Sequence, residues 1–204
     1  FDFQKFECLI QKVYSQIISS NVFDRRMYDV IRCASLRFLC DQYYIIHHKE
    51  WLENVDEFYV QNCREIINQT PRNLKISNEI IPENLYDVNF HDLFRDDDFI
   101  RAIEKMSTIQ FLNCPIDIWH EVQIAIDLAM IGTRKLILDD QLRPNISFDD
   151  FFSIILPVFA SAQISCPNAL HSFLSLFKKM KKTSSTDIIA ISTVALTGYV
   201  GNNI

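Results

Sequence analysis

Apolar residues recur along this chain at steps of three and four. Phe3, Phe6, Ile10, Val13 and Ile17 keep that period across residues 3–20. Met27, Ile31, Ala34 and Phe38 keep it across 25–46, and Leu52, Val55, Tyr59, Cys63 and Ile66 across 49–69. Such spacing lays apolar side chains along one face of a helix. It predicts three long helices packed as a bundle, because none can bury its stripe alone.

Thr70-Pro71 ends the third pattern, since proline disfavours helix in the residue before it. Residues 71–96 show no clear period and read as a long connection with short helical turns. Asp96, Asp97 and Asp98 then open a helix over 97–110, where the helix dipole favours carboxylates. Phe99, Ile100, Ile103 and Met106 form its apolar side. Cys114-Pro115 opens the next helix, with proline in the first turn and the stripe Trp119, Val122, Ile126 and Ala129. A break at 139–146 precedes another start at Ser147, where Ser147 and Asp150 have capping-box spacing. Pro157 falls inside that helix and is expected to kink it. Pro167 starts a further helix with Leu170, Phe173, Leu174 and Phe177. Ile188 to Val200 is rich in β-branched residues that favour strand. With no other strand to pair with, it is expected to be helical. The predicted fold class is all-α, a layered multi-helix bundle.

Composition narrows the function. The chain has 204 residues, 49% of them hydrophobic, including 16 Phe, and 23% charged, a balance that suits a packed core. Only three glycines occur, Gly132, Gly198 and Gly201, so no glycine-rich loop can cradle a phosphate. The net charge of −6 disfavours nucleic acid and anionic membrane surfaces as partners. The basic run Lys178, Lys179, Lys181, Lys182 reads as the solvated end of a helix. No stretch approaches the roughly 18 apolar residues of a membrane span, so no direct membrane insertion is expected.

The six cysteines, Cys8, Cys33, Cys40, Cys63, Cys114 and Cys166, form no C-x-x-C pair and no pair with histidine at zinc spacing. They sit among apolar residues and read as buried free thiols in a reducing, cytoplasmic setting. The histidines His47, His48, His91, His120 and His171 head no nucleophile motif and read as surface or core-edge residues. Neither a metal nor a cofactor is expected, and no hydrolytic chemistry.

One acid stands apart. With Ser147 as N-cap, Asp150 occupies the third helical position and serves the cap. Asp149 then lies in the first turn, ionised beside the dipole and available to a partner.

The segment Ser147-Phe148-Asp149-Asp150-Phe151-Phe152, an apolar helix, and Cys166-Pro167-Asn168-Ala169-Leu170-His171-Ser172 together resemble the core of the vacuolar-protein-sorting-nine domain. Upstream, Thr70-Pro71-Arg72-Asn73-Leu74 is similar to that family's threonine-proline-x-x-leucine turn. Arg101-Ala102-Ile103-Glu104-Lys105-Met106, leading to Cys114-Pro115, resembles its next helix, and residues 16–31 resemble its entry helix. The chain departs from the pattern at Ser153, where a proline is expected, and at Ile118, where a basic residue is. The tyrosine-x-x-threonine of the final helix falls on Ile189 and Ser192 in one register, or on Asp187 and Ala190 in another.

The resemblance implies guanine-nucleotide exchange on a Rab-five-type small GTPase, at endosomal membranes reached through regions or partners outside this chain. Asp149 would be an acidic finger that disfavours the magnesium ion and β-phosphate of bound GDP. Asp150, Phe152, Ser153, Ile189 and Ser192 would meet the partner. Residues 1–70 would be supporting helices and 71–204 the exchange core. A Rab-binding scaffold without exchange is the alternative, followed by an unrelated helical interaction domain.

Overall fold

The computed structural model describes residues 3–19, 30–31, 33–38, 40–41, 57–78, 80–136, 148–176 and 184–197. Among them the regular structure is helical and no strand occurs. Helix α1 is Phe3–Ser19. The helical positions 30–31, 33–38 and 40–41 are called α2. Helix α3 is Glu57–Ile67, α4 Phe90–Leu93, α5 Asp97–Thr108, α6 Pro115–Leu136, α7 Phe148–Ser161, α8 Pro167–Leu176 and α9 Ser184–Thr197.

The local signals behave as their chemistry dictates. Asp96 caps α5, its side chain accepting from the Asp98 N–H at 3.0 Å. Pro115 and Pro167 are the first residues of α6 and α8, where the missing N–H has no intrahelical partner to lose. Among its described residues, the segment between α3 and α5 holds a 3-10 turn at Glu83–Leu85 and the single-turn α4, which Asn89 caps. Among the described residues, two non-glycine positions take left-handed backbone, Lys75 (φ 55°) in that connection and Gln163 (φ 49°) between α7 and α8. The β-branched run is helical from Ile188 to Thr197; residues 198–200 lie outside the described residues.

Helices α5 and α6 form the most extensive pair. Ala102 and Met106 of α5 and Val122, Ala125 and Ala129 of α6 lose all contact with solvent. Gly132 lets the Phe99 ring settle against the α6 backbone. A Cβ at position 132 would lie 2.9 Å from two ring carbons. Phe99 is in turn stacked on Phe94, with centroids 4.5 Å apart. Ion pairs flank this contact. Lys135, in the last turn of α6, bridges Asp98 and Asp96 at the start of α5, and Lys105 meets Glu121 at 2.9 Å. Asp98 holds the Lys135 ammonium above its ordinary pKa. Lys135 is more than half exposed, so solvent screens the pair and its contribution is small.

Helix α7 lies deepest. Ile154, Ile155, Val158, Phe159 and Ala160 are buried, and α3, α5, α6 and α9 all pack on it. The division at residue 70 therefore cuts across one core, because α3 packs directly on α7 and α9. The Asn62 side chain of α3 donates to the Leu196 carbonyl at 2.6 Å, satisfying an acceptor in the last turn of α9.

Two expectations need correction. The buried side of α2 is carried by Leu36 and Cys40, not by Ala34 and Phe38; Phe38 is 64% exposed. The helix is apolar on two sides, and periodicity alone does not say which one meets the core. The cysteines also divide: Cys40, Cys63 and Cys114 are buried, Cys33 and Cys166 half-buried, and Cys8 exposed. The stripe residues Met27, Leu52 and Val55, the break at 139–146, and the lysine run lie outside the described residues.

Replacing Gly132 with Ala is expected to destabilise the chain despite alanine's better helix propensity. The gain is about 1 kcal/mol, whereas forcing a methyl into a packed contact costs about 1–3 kcal/mol. The stack on Phe94 restrains the ring from moving aside. A lower urea midpoint with an unchanged slope is the expected result; an equal or higher midpoint would show that Phe99 yields freely.

Candidate functional site

The start of α7 and positions 189 and 192 of α9 are the parts of the fold that the sequence singled out. Helix α7 begins at Phe148, directly after Ser147, which puts Asp149 and Asp150 in its first turn. The side chains of Ser147 and Asp149 lie outside the described residues. Asp150, Phe151, Phe152 and Ser153 are half-buried, and burial becomes almost continuous from Ile154 onward. The helix thus has a partly open first turn and a closed remainder. Phe151 also packs against the main core cluster.

Helix α9 packs on α8, α3, α6 and α7, and this decides which of its residues can meet a partner. Ile189, Ser192 and Leu196 are fully buried, and Thr193 almost so. The exposed side carries Ile191 (41% exposed) and Val194 (65% exposed), with Ala190 half-buried beside them. Ile189 and Ser192 therefore present no surface to another protein, a correction to their assignment as contact residues. The reason is rotational. Positions 189, 192, 193 and 196 share the inward face at helical spacing, while 190, 191 and 194 share the outward one. Position 187 falls in register with 190, 191 and 194; the Asp187 side chain lies outside the described residues.

Other departures from the family pattern also resolve into packing. Ile118 is fully buried, so a basic residue there would enter the core. Pro157 lies inside α7 and is buried, so it does not stand in at the surface for the proline replaced by Ser153.

The Thr70–Leu74 turn is a structural corner. Thr70 Oγ1 accepts from the Asn73 N–H at 3.3 Å, and its carbonyl accepts from Leu74 at 3.2 Å. Pro71 is buried and Leu74 packs on the core. Two backbone bonds stitch the corner to the following segment, Arg72 N to Tyr86 O at 3.1 Å and Phe90 N to Gln69 O at 3.0 Å. Arg72 lies over the Tyr86 ring, 5.0 Å from its centroid, and forks onto Asp87 at 2.6 and 3.0 Å. That guanidinium holds the Asp87 carboxyl below its usual range. A cleft of about 480 Å³ opens beside it, lined by Arg72, Lys75, Ile76, Ser77, Asn78 and Tyr86, with Glu83 at its edge. Sequence periodicity gave no sign of this cleft, because an irregular connection builds it.

Among the described residues no three His, Cys, Asp or Glu side chains cluster at metal-ligating distance, and no helix is long and apolar enough to cross a membrane. His91 and His120 are exposed and His171 is half-buried, while His47 and His48 lie outside the described residues. Compared with known proteins, the chain matches no protein-family model and no curated protein sequence.

Ile189→Tyr is expected to damage the fold without creating a partner contact. Enlarging a fully buried aliphatic side chain forces neighbours off their rotamers and costs about 1–3 kcal/mol. Thermal melts by circular dichroism would register the loss. A variant as stable as the parent would mean that α9 can rotate to expose position 189.

Proposed function

We propose that this chain is a guanine-nucleotide exchange factor for a Rab-five-like small GTPase, of the vacuolar-protein-sorting-nine type. The observation that carries this reading is the start of α7. It places Asp149 in the first turn of a helix whose later turns are locked into the core. The packing of α9 on α7 supports it, since the two elements the resemblance assigns to the partner lie side by side.

The mechanism is electrostatic. A carboxylate brought close to the β-phosphate and magnesium site of GDP repels the phosphate and competes for the cation, and in a partly desolvated site that repulsion is strong. The helix dipole keeps such a carboxylate ionised. Exchange factor and nucleotide then weaken each other's binding by the same factor. The outward face of α9 offers positions 187, 190, 191 and 194 to the GTPase in place of Ile189 and Ser192. Recruitment to endosomes belongs to the same proposal.

The absence of the family's tyrosine favours a second reading, a Rab-binding scaffold that does not release nucleotide. An aromatic interface anchor is often worth 2 kcal/mol or more, and the outward face of α9 carries only aliphatic groups where its side chains are described.

Asp149→Ala is expected to reduce GDP release to the GTPase's intrinsic rate while lowering stability by only about 0.3–1 kcal/mol. Fluorescent-nucleotide release against a panel of Rab GTPases measures it. Undiminished release would remove Asp149 from the mechanism, and selective inactivity of Asp150→Ala would shift the finger by one residue.

Reciprocal coupling gives a second expectation. The chain should capture nucleotide-free GTPase and release it when excess GDP is added. Equal capture with and without GDP would favour the scaffold.

A further inference from the structure

Three successive links join positions 37–41 of α2 to residues 113–117, which lead into α6. Arg37 Nε reaches both carboxylate oxygens of Asp117, at 3.0 and 3.1 Å. The Asn113 side-chain amide donates to Asp41. Between these links lie Cys40 and Cys114, whose thiols influence one another across the seam. Both cysteines are 1% exposed. The polar links on either side fix the register of the two segments and keep Cys40 beside Cys114.

The two sulfurs are not equivalent. Cys114 immediately precedes α6, and its carbonyl accepts the N–H groups of Asp117 and Ile118, both at 3.1 Å. Cys40, and after it the nearby Ile116 and Asp117 N–H groups, favour the charged form of Cys114 and hold its thiol below its ordinary pKa. The Cys40 thiol is pushed up, by Cys114 first and by burial second. The charged groups facing the pair are Arg37, Asp41 and Asp117. No step of the exchange mechanism uses this seam.

We propose that Cys40 and Cys114 form a redox modification site, which a hydroperoxide converts into an intramolecular disulfide pinning α2 to the start of α6.

Cys114 sulfur attacks a peroxide oxygen. The O–O bond breaks, and the departing hydroxide takes the thiol proton and leaves as water. The resulting sulfenic acid is attacked by Cys40 sulfur. The S–O bond breaks and a second water leaves with the Cys40 proton, so two thiols supply the two electrons that reduce the peroxide. Cys63 is a poor competitor, since burial pushes its thiol up to about 11. Burial likewise pushes the Cys166 thiol up. Exposed Cys8 is the natural competitor for the oxidant.

The test is to titrate the folded chain with hydrogen peroxide and map linked peptides after non-reducing digestion, with urea-unfolded chain in parallel. The folded chain should give a predominant Cys40–Cys114 link and a mass lower by two hydrogens, reversed by a thiol reductant. Its melting temperature should rise on oxidation and fall back on reduction. In Cys40→Ala, Cys114 should stop at the sulfenic acid and be captured by dimedone. Two results would overturn the proposal. One is oxidation confined to Cys8, with both buried cysteines still alkylated after unfolding. The other is the same mixture of links from folded and unfolded chain. Both are read on the parent chain, so the outcome does not depend on a variant that folds.

Discussion

Helix α7 has to be surrounded. Its apolar residues from Ile154 to Ala160 point to more than one side, and no single neighbour can cover them. A helix apolar on most of its circumference is stable only at the centre of a bundle. The packing of α3, α5, α6 and α9 around it follows from that requirement. The place of its first turn follows as well. Once the later turns are enclosed, the turn holding Asp149 and Asp150 is the end at which burial relaxes. The acid proposed as the finger owes its position to burial elsewhere in the same helix.

Much of this architecture was legible before any coordinates. Helices α5, α6 and α8 carry start signals whose chemistry is local: the Asp96 cap, Pro115 and Pro167. Local signals need no knowledge of the neighbours. The choice of inward face does need it, and there the reading failed. On α2, Phe38 is the larger hydrophobe, yet Leu36 and Cys40 face the core. On α9, one register of the expected tyrosine-x-x-threonine falls on Ile189 and Ser192, but packing against α8, α3, α6 and α7 turns both inward. Spacing defines which residues share a face. The other helices decide which face is free.

The polar interactions follow the same division. Caps such as Asn89 on α4 lie within a few residues of their targets and can be anticipated from sequence. Arg37 with Asp117, Asn62 with Leu196 and Gln110 with Ser165 join positions far apart in the chain and have no periodic signature. Gln110 Oε1 accepts both the backbone N–H and the hydroxyl of Ser165, at 3.0 and 2.8 Å, fastening the end of α5 to the corner between α7 and α8. Such long-range links tie the helices at fixed points along their lengths, where apolar packing alone would allow sliding.

Pro157 has a consequence for how α7 opens. Proline has no N–H to offer the carbonyl four residues earlier, so one rung of the helical ladder is missing between the first turn and the enclosed half. Backbone amides before that gap are not bound to the same cooperative unit as those after it. Hydrogen exchange along α7 therefore divides at the proline. The amides of its opening turns exchange through local fraying, and those from Val158 to Ser161 exchange only when the core itself opens.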